Sequence, residues 1–319
     1  MKIVQQSLSL NSSHTLFHLK TLQRDEPVAF DIYIKKDGGY LVIIEAGTLV
    51  TSKIYEFLQK QKALYVLRAD RNKKSLTCAN IYEHITFNKD LNEKNIRFLY
   101  EVNETQFVTL QESKSNKLNM NCINALVKSI VYLIKHNKSY LKEVIGHFSN
   151  EYRLDIHTLH VAIYAVHLGY YLKSSEKELV ELGTAGLLHD IGFVKVDEKI
   201  LNKNIELDAD ELALVQKHTR YGVEIAEHNQ VHDSLVLDAI MHHHERYDGS
   251  GYPHKYQSQQ IKKHASIIAI CDVFDALTNN RPYRKKFTYF EALKFMIKDP
   301  SMQDKFNSKY LQVFLKSLI

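Results

Sequence analysis

Short alternating apolar runs open the chain. Val28–Ile34 and Tyr40–Glu45 are rich in β-branched and aromatic residues, and Lys36-Asp37-Gly38-Gly39 between them is a hairpin-type turn signal. Ser52 is placed to cap a short helix reaching Gln61, with Ile54 and Leu58 at helical spacing. Ala63–Arg68 reads as a further strand and Arg71–Ser75 as a polar loop. From about residue 92 to Leu141 the period lengthens. Ile123, Leu126, Ile130, Leu133 and Ile134 recur at three- and four-residue spacing, as on the buried face of a helix, with a polar break at Lys114–Lys117.

Beyond Leu141 helical periodicity dominates. The pattern predicts helices over Val161–Leu172, Glu178–Leu188, Ala209–Glu227, Ser234–His244, Ala265–Leu277, Tyr289–Ile297 and Ser308–Leu318. Pro253, Pro282 and Pro300 fall between them, where a residue without an N–H is tolerated. The expected fold class is α+β: a small mixed α/β domain over residues 1–140, then an all-α bundle over residues 141–319.

Composition narrows the functional class. The chain has 319 residues, 45% apolar and 25% charged, which suits ordinary globular domains and excludes a disordered or collagen-like chain. A net charge of +5 is too small to argue for nucleic acid, while tolerating an anionic substrate. The three cysteines, Cys78, Cys122 and Cys271, are far apart and form no CxxC, so neither a disulfide framework nor a thiolate zinc site is expected, and a reducing cytoplasm fits best. No apolar run has the length of a signal peptide or a membrane span, so no membrane insertion is expected.

Histidine is distributed unevenly. Of 17 histidines, His14, His18, His84 and His136 precede residue 140, and the other thirteen lie between His147 and His264. His189-Asp190 ends an apolar helix just before Gly192; alone, the pair reads as a capped helix end. It has company. His157 lies upstream near the start of an apolar helix, His218 and His242-His243-His244 lie downstream, and Asp272 interrupts Ile270-Cys271-Asp272-Val273-Phe274. A carboxylate on so apolar a helix is costly unless paired or bound to a cation. Imidazole and carboxylate together suit a transition-metal site without thiolate.

The second half resembles the HD-GYP domain, a branch of the HD phosphohydrolase superfamily. The matching elements are His157-Thr158-Leu159-His160-Val161, Leu188-His189-Asp190-Ile191-Gly192, His218 with Gly222, the run His243-His244-Glu245-Arg246-Tyr247-Asp248-Gly249-Ser250-Gly251-Tyr252-Pro253, Asp272-Val273-Phe274-Asp275-Ala276-Leu277-Thr278, and Arg281-Pro282-Tyr283-Arg284. The resemblance covers roughly residues 145–319 and implies a helical bundle holding a dinuclear metal centre that hydrolyses cyclic di-GMP to pGpG, GMP or both.

Carried over position by position, the metal ligands are His157, His189, Asp190, His218, His243, His244 and Asp272, with Asp190 bridging two divalent ions, iron or manganese. Arg281 and Arg284 match positions that meet substrate phosphate. Gly249–Pro253 is a candidate docking surface for a diguanylate cyclase (GGDEF) domain, and the reading leaves room for a homodimer. The first half matches no named family; a regulatory or partner-binding role is expected of it.

Two positions depart from the family pattern. The lysine of His-Asp-x-Gly-Lys is Phe193 here, and Lys195, two residues on, is the candidate replacement beside the reacting phosphate. A centre silenced by Phe193 would instead be a cyclic dinucleotide receptor or docking module. An HD-type hydrolase acting on another phosphate ester is a third alternative. Where some members carry a third-metal glutamate, Arg153 stands here, so two metals are expected, not three. His160, His167, His228, His232, His242, His254 and His264 are read as surface or hydrogen-bonded histidines, and Asp275 as capping or pairing within its helix.

Overall fold

The computed structural model describes residues 14–17, 19, 22, 30–37, 39–45, 52–67, 99–100, 102–104, 107, 110, 116–137, 140–141, 153–201, 203, 206–279 and 286–318. The expected loop Arg71–Ser75 and the Arg281–Arg284 motif lie outside these residues. The chain forms two compact units, 1–80 and 81–319. The expected division at 140/141 falls inside the second unit, because the helix Met120–His136 packs its apolar face on helices of that unit.

In the first unit, strands β1 (His14–Phe17), β2 (Ile32–Lys36), β3 (Gly39–Ile44) and β4 (Leu64–Leu67) form an antiparallel sheet in the order β1-β4-β2-β3. The expected hairpin is present: Lys36 faces Gly39, and Asp37 takes the positive φ of 50° that the tight turn requires. Helix α1 (Ser52–Gln59) buries Leu58 with Phe17, Phe30, Ile32, Ile44, Leu64 and Val66. Strand β1 has no counterpart in the sequence reading; at four residues it is too short to show a period.

The second unit is helical among its described residues. Helix α2 is Met120–His136, with Asn119 accepting the Cys122 N–H at its N-cap, and Ile123, Leu126, Ile130, Leu133 and Ile134 are all buried as their spacing predicts. Cys122 is disulfide-bonded, against the expectation from cysteine spacing, whereas Cys271 is a buried free thiol. Helix α3 (Leu154–Tyr171) is apolar on every side and buried from Ile156 to Gly169, packed on α2, α4 (Glu176–Leu188), α9 (Lys263–Thr278) and α11 (Ser308–Leu318). A capping box between Ser175 and Glu178 starts α4. A short helix α5 (Glu198–Leu201) follows, and α10 (Tyr289–Lys298) precedes α11.

The helix expected over Ala209–Glu227 is two, α6 (Ala209–Gln216) and α7 (His218–His228). The break has a local cause. The His218 ring bonds through Nδ1 to the Val215 carbonyl at 2.8 Å, occupying the acceptor that an unbroken helix would offer to Thr219. Helix α8 (Ser234–His242) ends before the last two histidines of its run, leaving His243 and His244 in the turn that follows.

Candidate metal centre

Several helix ends meet at one point. His157 lies in the first turn of α3, His189-Asp190 at the end of α4, His218 at the start of α7, and His243-His244 just past α8, while Asp272 projects from the middle of α9. After Asp190 the chain turns through a 3-10 segment, Ile191–Lys195. Gly192 makes that turn possible: a Cβ there would overlap the His218 carbonyl oxygen, so glycine lets the turn lie against the start of α7.

The side chains form two groups, His157, His189 and Asp272 in one and His218, His243, His244 and Asp190 in the other, each compact enough to hold a cation. Asp190 faces both. Its Oδ2 lies 3.3 Å from His189 Nε2 and 3.5 Å from His157 Nε2, and its Oδ1 lies 3.3 Å from His218 Nε2 and 3.4 Å from His243 Nε2. Asp272 joins the first group through Oδ1, 3.3 Å from His157 Nε2, and approaches His244 Nδ1 at 3.8 Å through Oδ2.

Proton accounting shows what these contacts are. The Nδ1 atoms of His189, His218 and His243 lie 2.8, 2.8 and 2.9 Å from the carbonyl oxygens of Gly186, Val215 and Ile240. A carbonyl only accepts, so each Nδ1 carries the proton, and a neutral ring then turns an Nε2 lone pair toward the centre. Yet His189 and His157 bring their Nε2 atoms to 3.3 Å, as do His218 and His243. Asp190 Oδ1, buried, has no hydrogen-bond partner there. Lone pairs aimed at each other around an orphaned carboxylate oxygen are unfavourable without positive charge between them. The donor set fits a cation in each group.

The electrostatics agree. Burial alone would raise the pKa of Asp190, but the neighbouring His189, with contacts from His157 and His218, holds it well below the usual carboxylate range. Asp272 is likewise lowered against its burial, by His157 and His244 first. Burial pushes His243 down to about 4, only partly opposed by Asp190, and pushes His244 well below its ordinary value. Ionised carboxylates beside neutral imidazoles are the protonation states that metal binding requires.

Residues 120–305 match the family model described as "HD domain", more than half of the chain. The chain belongs to the HD domain family.

Among relatives of this HD domain protein are the cyclic di-GMP phosphodiesterase PA4108 of Pseudomonas aeruginosa, 34% identical over 58% of this chain and 44% of that one, and the 3'3'-cGAMP-specific phosphodiesterase 2 of Vibrio cholerae, 41% identical over 41% and 26%. The cyclic di-GMP phosphodiesterase response regulator RpfG of Xanthomonas campestris is 38% identical over 38% and 32%. The chain thus spans less than half the length of these curated relatives. A solved structure, Bd1817, an HDG"Y"P protein from Bdellovibrio bacteriovorus, aligns over 96% of this chain and 99% of its own at a TM-score of 0.61 and 19% identity, a likeness of fold. The resemblance to the HD-GYP branch is borne out.

Around the HD centre lies a supporting layer that the sequence reading missed. Asp275, fully buried, pairs with Asn279 at the C-cap of its own helix, as expected, and also reaches across to α3. Its Oδ2 holds His157 Nδ1 at 2.7 Å and its Oδ1 holds His160 Nδ1 at 2.8 Å, while Asn279 donates to Oδ2 at 2.7 Å. His160 Nε2 lies 2.6 Å from the Tyr100 hydroxyl. A carboxylate behind a ligating imidazole fixes the ring and raises its basicity. Burial would raise the Asp275 pKa, but His160 and His157 bring it to about 2. The three-residue spacing from Asp272, which sets both carboxylates on one helix face, was the available signal.

Other expectations fare differently. Lys195 is not brought to the centre. Its Nζ lies 3.1 Å from Glu224 Oε2 and 5.5 Å from the Tyr221 ring centroid. In a 3-10 turn of three residues per turn, positions 193 and 195 cannot point the same way, and it is Phe193 that faces His218. Arg153 is bound by carboxylates, 2.6 Å from Asp155 Oδ2 and 2.9 Å from Glu104 Oε1. His242 is turned out of the centre, its Nε2 2.9 Å from His254 Nδ1, as the choice of His243 and His244 requires. Tyr252 stacks on His244 at 4.6 Å between centroids, and the Glu245 carboxylate accepts the N–H groups of His254 and Tyr256. Gly251 packs on the His244 carbonyl, where a Cβ would overlap. Among the described residues no helix is long and apolar enough to cross a membrane.

Proposed function

We propose that this chain is a metal-dependent phosphodiesterase that hydrolyses cyclic di-GMP to pGpG, GMP or both. The observation that carries the reading is Asp190, one oxygen turned to each of two imidazole groups. His157, His189 and Asp272 would hold one divalent ion, His218, His243 and His244 the other, with Asp190 shared and iron or manganese as occupants. When bound, such ions supply Lewis acidity to the phosphoryl oxygens and to water. The chain's own part is to fix the Nδ1–H tautomers of His189, His218 and His243 through backbone acceptors, so that Nε2 faces the centre, to keep Asp190 ionised, and to fix His157 through Asp275. Hydrolysis adds water across one P–O3′ bond, leaving a 5′-phosphate and a free 3′ hydroxyl.

Arg281 and Arg284 are proposed phosphate contacts on the family resemblance alone, and Lys195 is withdrawn from that role. In the same reading the N-terminal part is a regulatory or partner module, and the Gly249–Pro253 loop meets a diguanylate cyclase domain. Relatives named for cyclic di-GMP and for 3'3'-cGAMP define the substrates to compare. The test is incubation of manganese- or iron-loaded protein with each and chromatography of the products. Formation of pGpG supports the proposal; binding of cyclic di-GMP with no linear product in either metal state overturns it.

A further inference from the structure

A cavity of about 250 Å³ opens beside the centre, lined by His244, Arg246, Tyr252, Val273, Met302 and Lys305 among others. Its two cations are in different states. Lys305 Nζ lies 3.0 Å from Asp248 Oδ2 and donates to Ser250 Oγ at 2.6 Å, so its charge is matched. The guanidinium of Arg246 has no carboxylate in direct contact. Its Nη1 donates to the carbonyls of His243 and Glu245 at 3.0 Å each, and its central carbon lies 5.6 Å from the Phe306 ring centroid. Among the described residues no carboxylate pairs with it, and Nε and Nη2 have no acceptor. The adjacent Glu245 is spent on the N–H groups of His254 and Tyr256.

Half-buried, this guanidinium has no carboxylate in ion-pair contact among the described residues, Asp272, Asp248 and Glu245 acting on it only at longer range. Arg246 lines the same cavity as His244, itself a member of the centre. Guanidinium offers a planar fork suited to two phosphate oxygens at once. Val273 and Met302 add apolar surface suited to a base or ribose.

We propose that this cavity is an anion subsite, with Arg246 as its binding group and Lys305 at its rim, that takes the second phosphate of a cyclic dinucleotide while the first lies at the metal centre. The proposal rests on the phosphodiesterase reading and adds to it one thing: the uncleaved phosphate of the cyclic substrate is held by the chain rather than by metal. The subsite also gives a linear dinucleotide product a hold after the first cleavage.

Two measurements separate the subsite from the reading beneath it. Hydrolysis of bis(p-nitrophenyl) phosphate, a diester with one phosphate, by manganese-loaded wild-type protein tests the centre alone. Equilibrium binding of cyclic di-GMP to EDTA-treated protein tests the subsite with no turnover. Arg246→Met is expected to weaken that binding by about tenfold, the loss of one charge-assisted bidentate contact, and to flatten its salt dependence. Lys305→Met, at the rim and with its Nζ bonded only to the side chains of Asp248 and Ser250, is the second variant should Arg246→Met not fold, with an expected loss of about threefold. Binding unchanged in a folded Arg246→Met, unchanged in Lys305→Met where the arginine variant does not fold, or absent in the wild type, overturns the subsite. Absence of diester hydrolysis with Arg246-dependent binding intact overturns the phosphodiesterase reading and leaves the subsite standing.

Discussion

The ring of Phe193 lies flat over the ring of His218, 4.1 Å between centroids and 9° from parallel. Where the HD-GYP pattern has a lysine, this chain places an aromatic face against an imidazole of the centre. A stack of this kind contributes on the order of 1 kcal/mol beyond area burial. It would strengthen as the imidazole becomes electron-poor on binding a cation.

Phe193→Leu is therefore expected to lower stability by about 1 kcal/mol and to cost more in the metal-loaded protein than in the stripped one. Urea denaturation with and without manganese reads the difference. Phe193→Lys restores a cation near the scissile phosphate and is expected to raise turnover of cyclic di-GMP; an unchanged or lower rate would show that the lysine is not what limits this chain.

Asp190→Asn keeps the shape of the side chain but removes the charge that both imidazole groups face. Metal bound in both groups should fall, not in one, and diester hydrolysis should be lost. Elemental analysis after gel filtration checks it. Retention of the wild-type metal content would show that Asp190 is not shared.

Asp275→Asn leaves all the candidate ligands in place and removes the carboxylate behind His157 and His160. Metal affinity is expected to drop by about 10- to 100-fold, as for other carboxylates behind ligating imidazoles. Competition with a chelator of known affinity measures this independently of activity.

His167, on α3, is buried, with Nε2 3.3 Å from the Ser317 carbonyl oxygen, and burial pushes its pKa from 6.5 to about 4. Between those values the unfolded chain carries the proton and the folded one does not. Stability is thus fully present above pH 6.5 and declines as pH falls toward 4, by on the order of 2 kcal/mol from this residue. Denaturation of EDTA-treated wild type and His167→Gln at pH 7.5 and 4.5 isolates the contribution; an equal acid loss in both proteins contradicts it.

Gly192→Ala brings a methyl into the His218 backbone. The turn after Asp190 cannot then lie against α7, so a loss of about 3 kcal/mol or failure to fold is expected, together with loss of metal. Thermal denaturation and metal content report the two effects.

Periodicity and residue chemistry were enough for much of this molecule. The spacing of Ile123, Leu126, Ile130 and Leu133 set a buried helix face, and the Asp37 turn set a hairpin, because such patterns are local. The density of histidine after residue 147, with Asp272 stranded on an apolar helix, marked where the chemistry lies. The choice of His243 and His244 over His242 came from the family pattern, carried over position by position.

What needed the folded chain was every relationship across helices. Asp275 meets His157 118 positions away; Lys195 turns to Glu224 on α7; Arg246 lines a cavity with no carboxylate in contact. Even the break between α6 and α7 depends on a side chain taking a backbone acceptor. Sequence spacing fixes the direction of a side chain relative to its own helix. Which partner it meets depends on how neighbouring helices are rotated and docked, and that is decided by packing of the whole core.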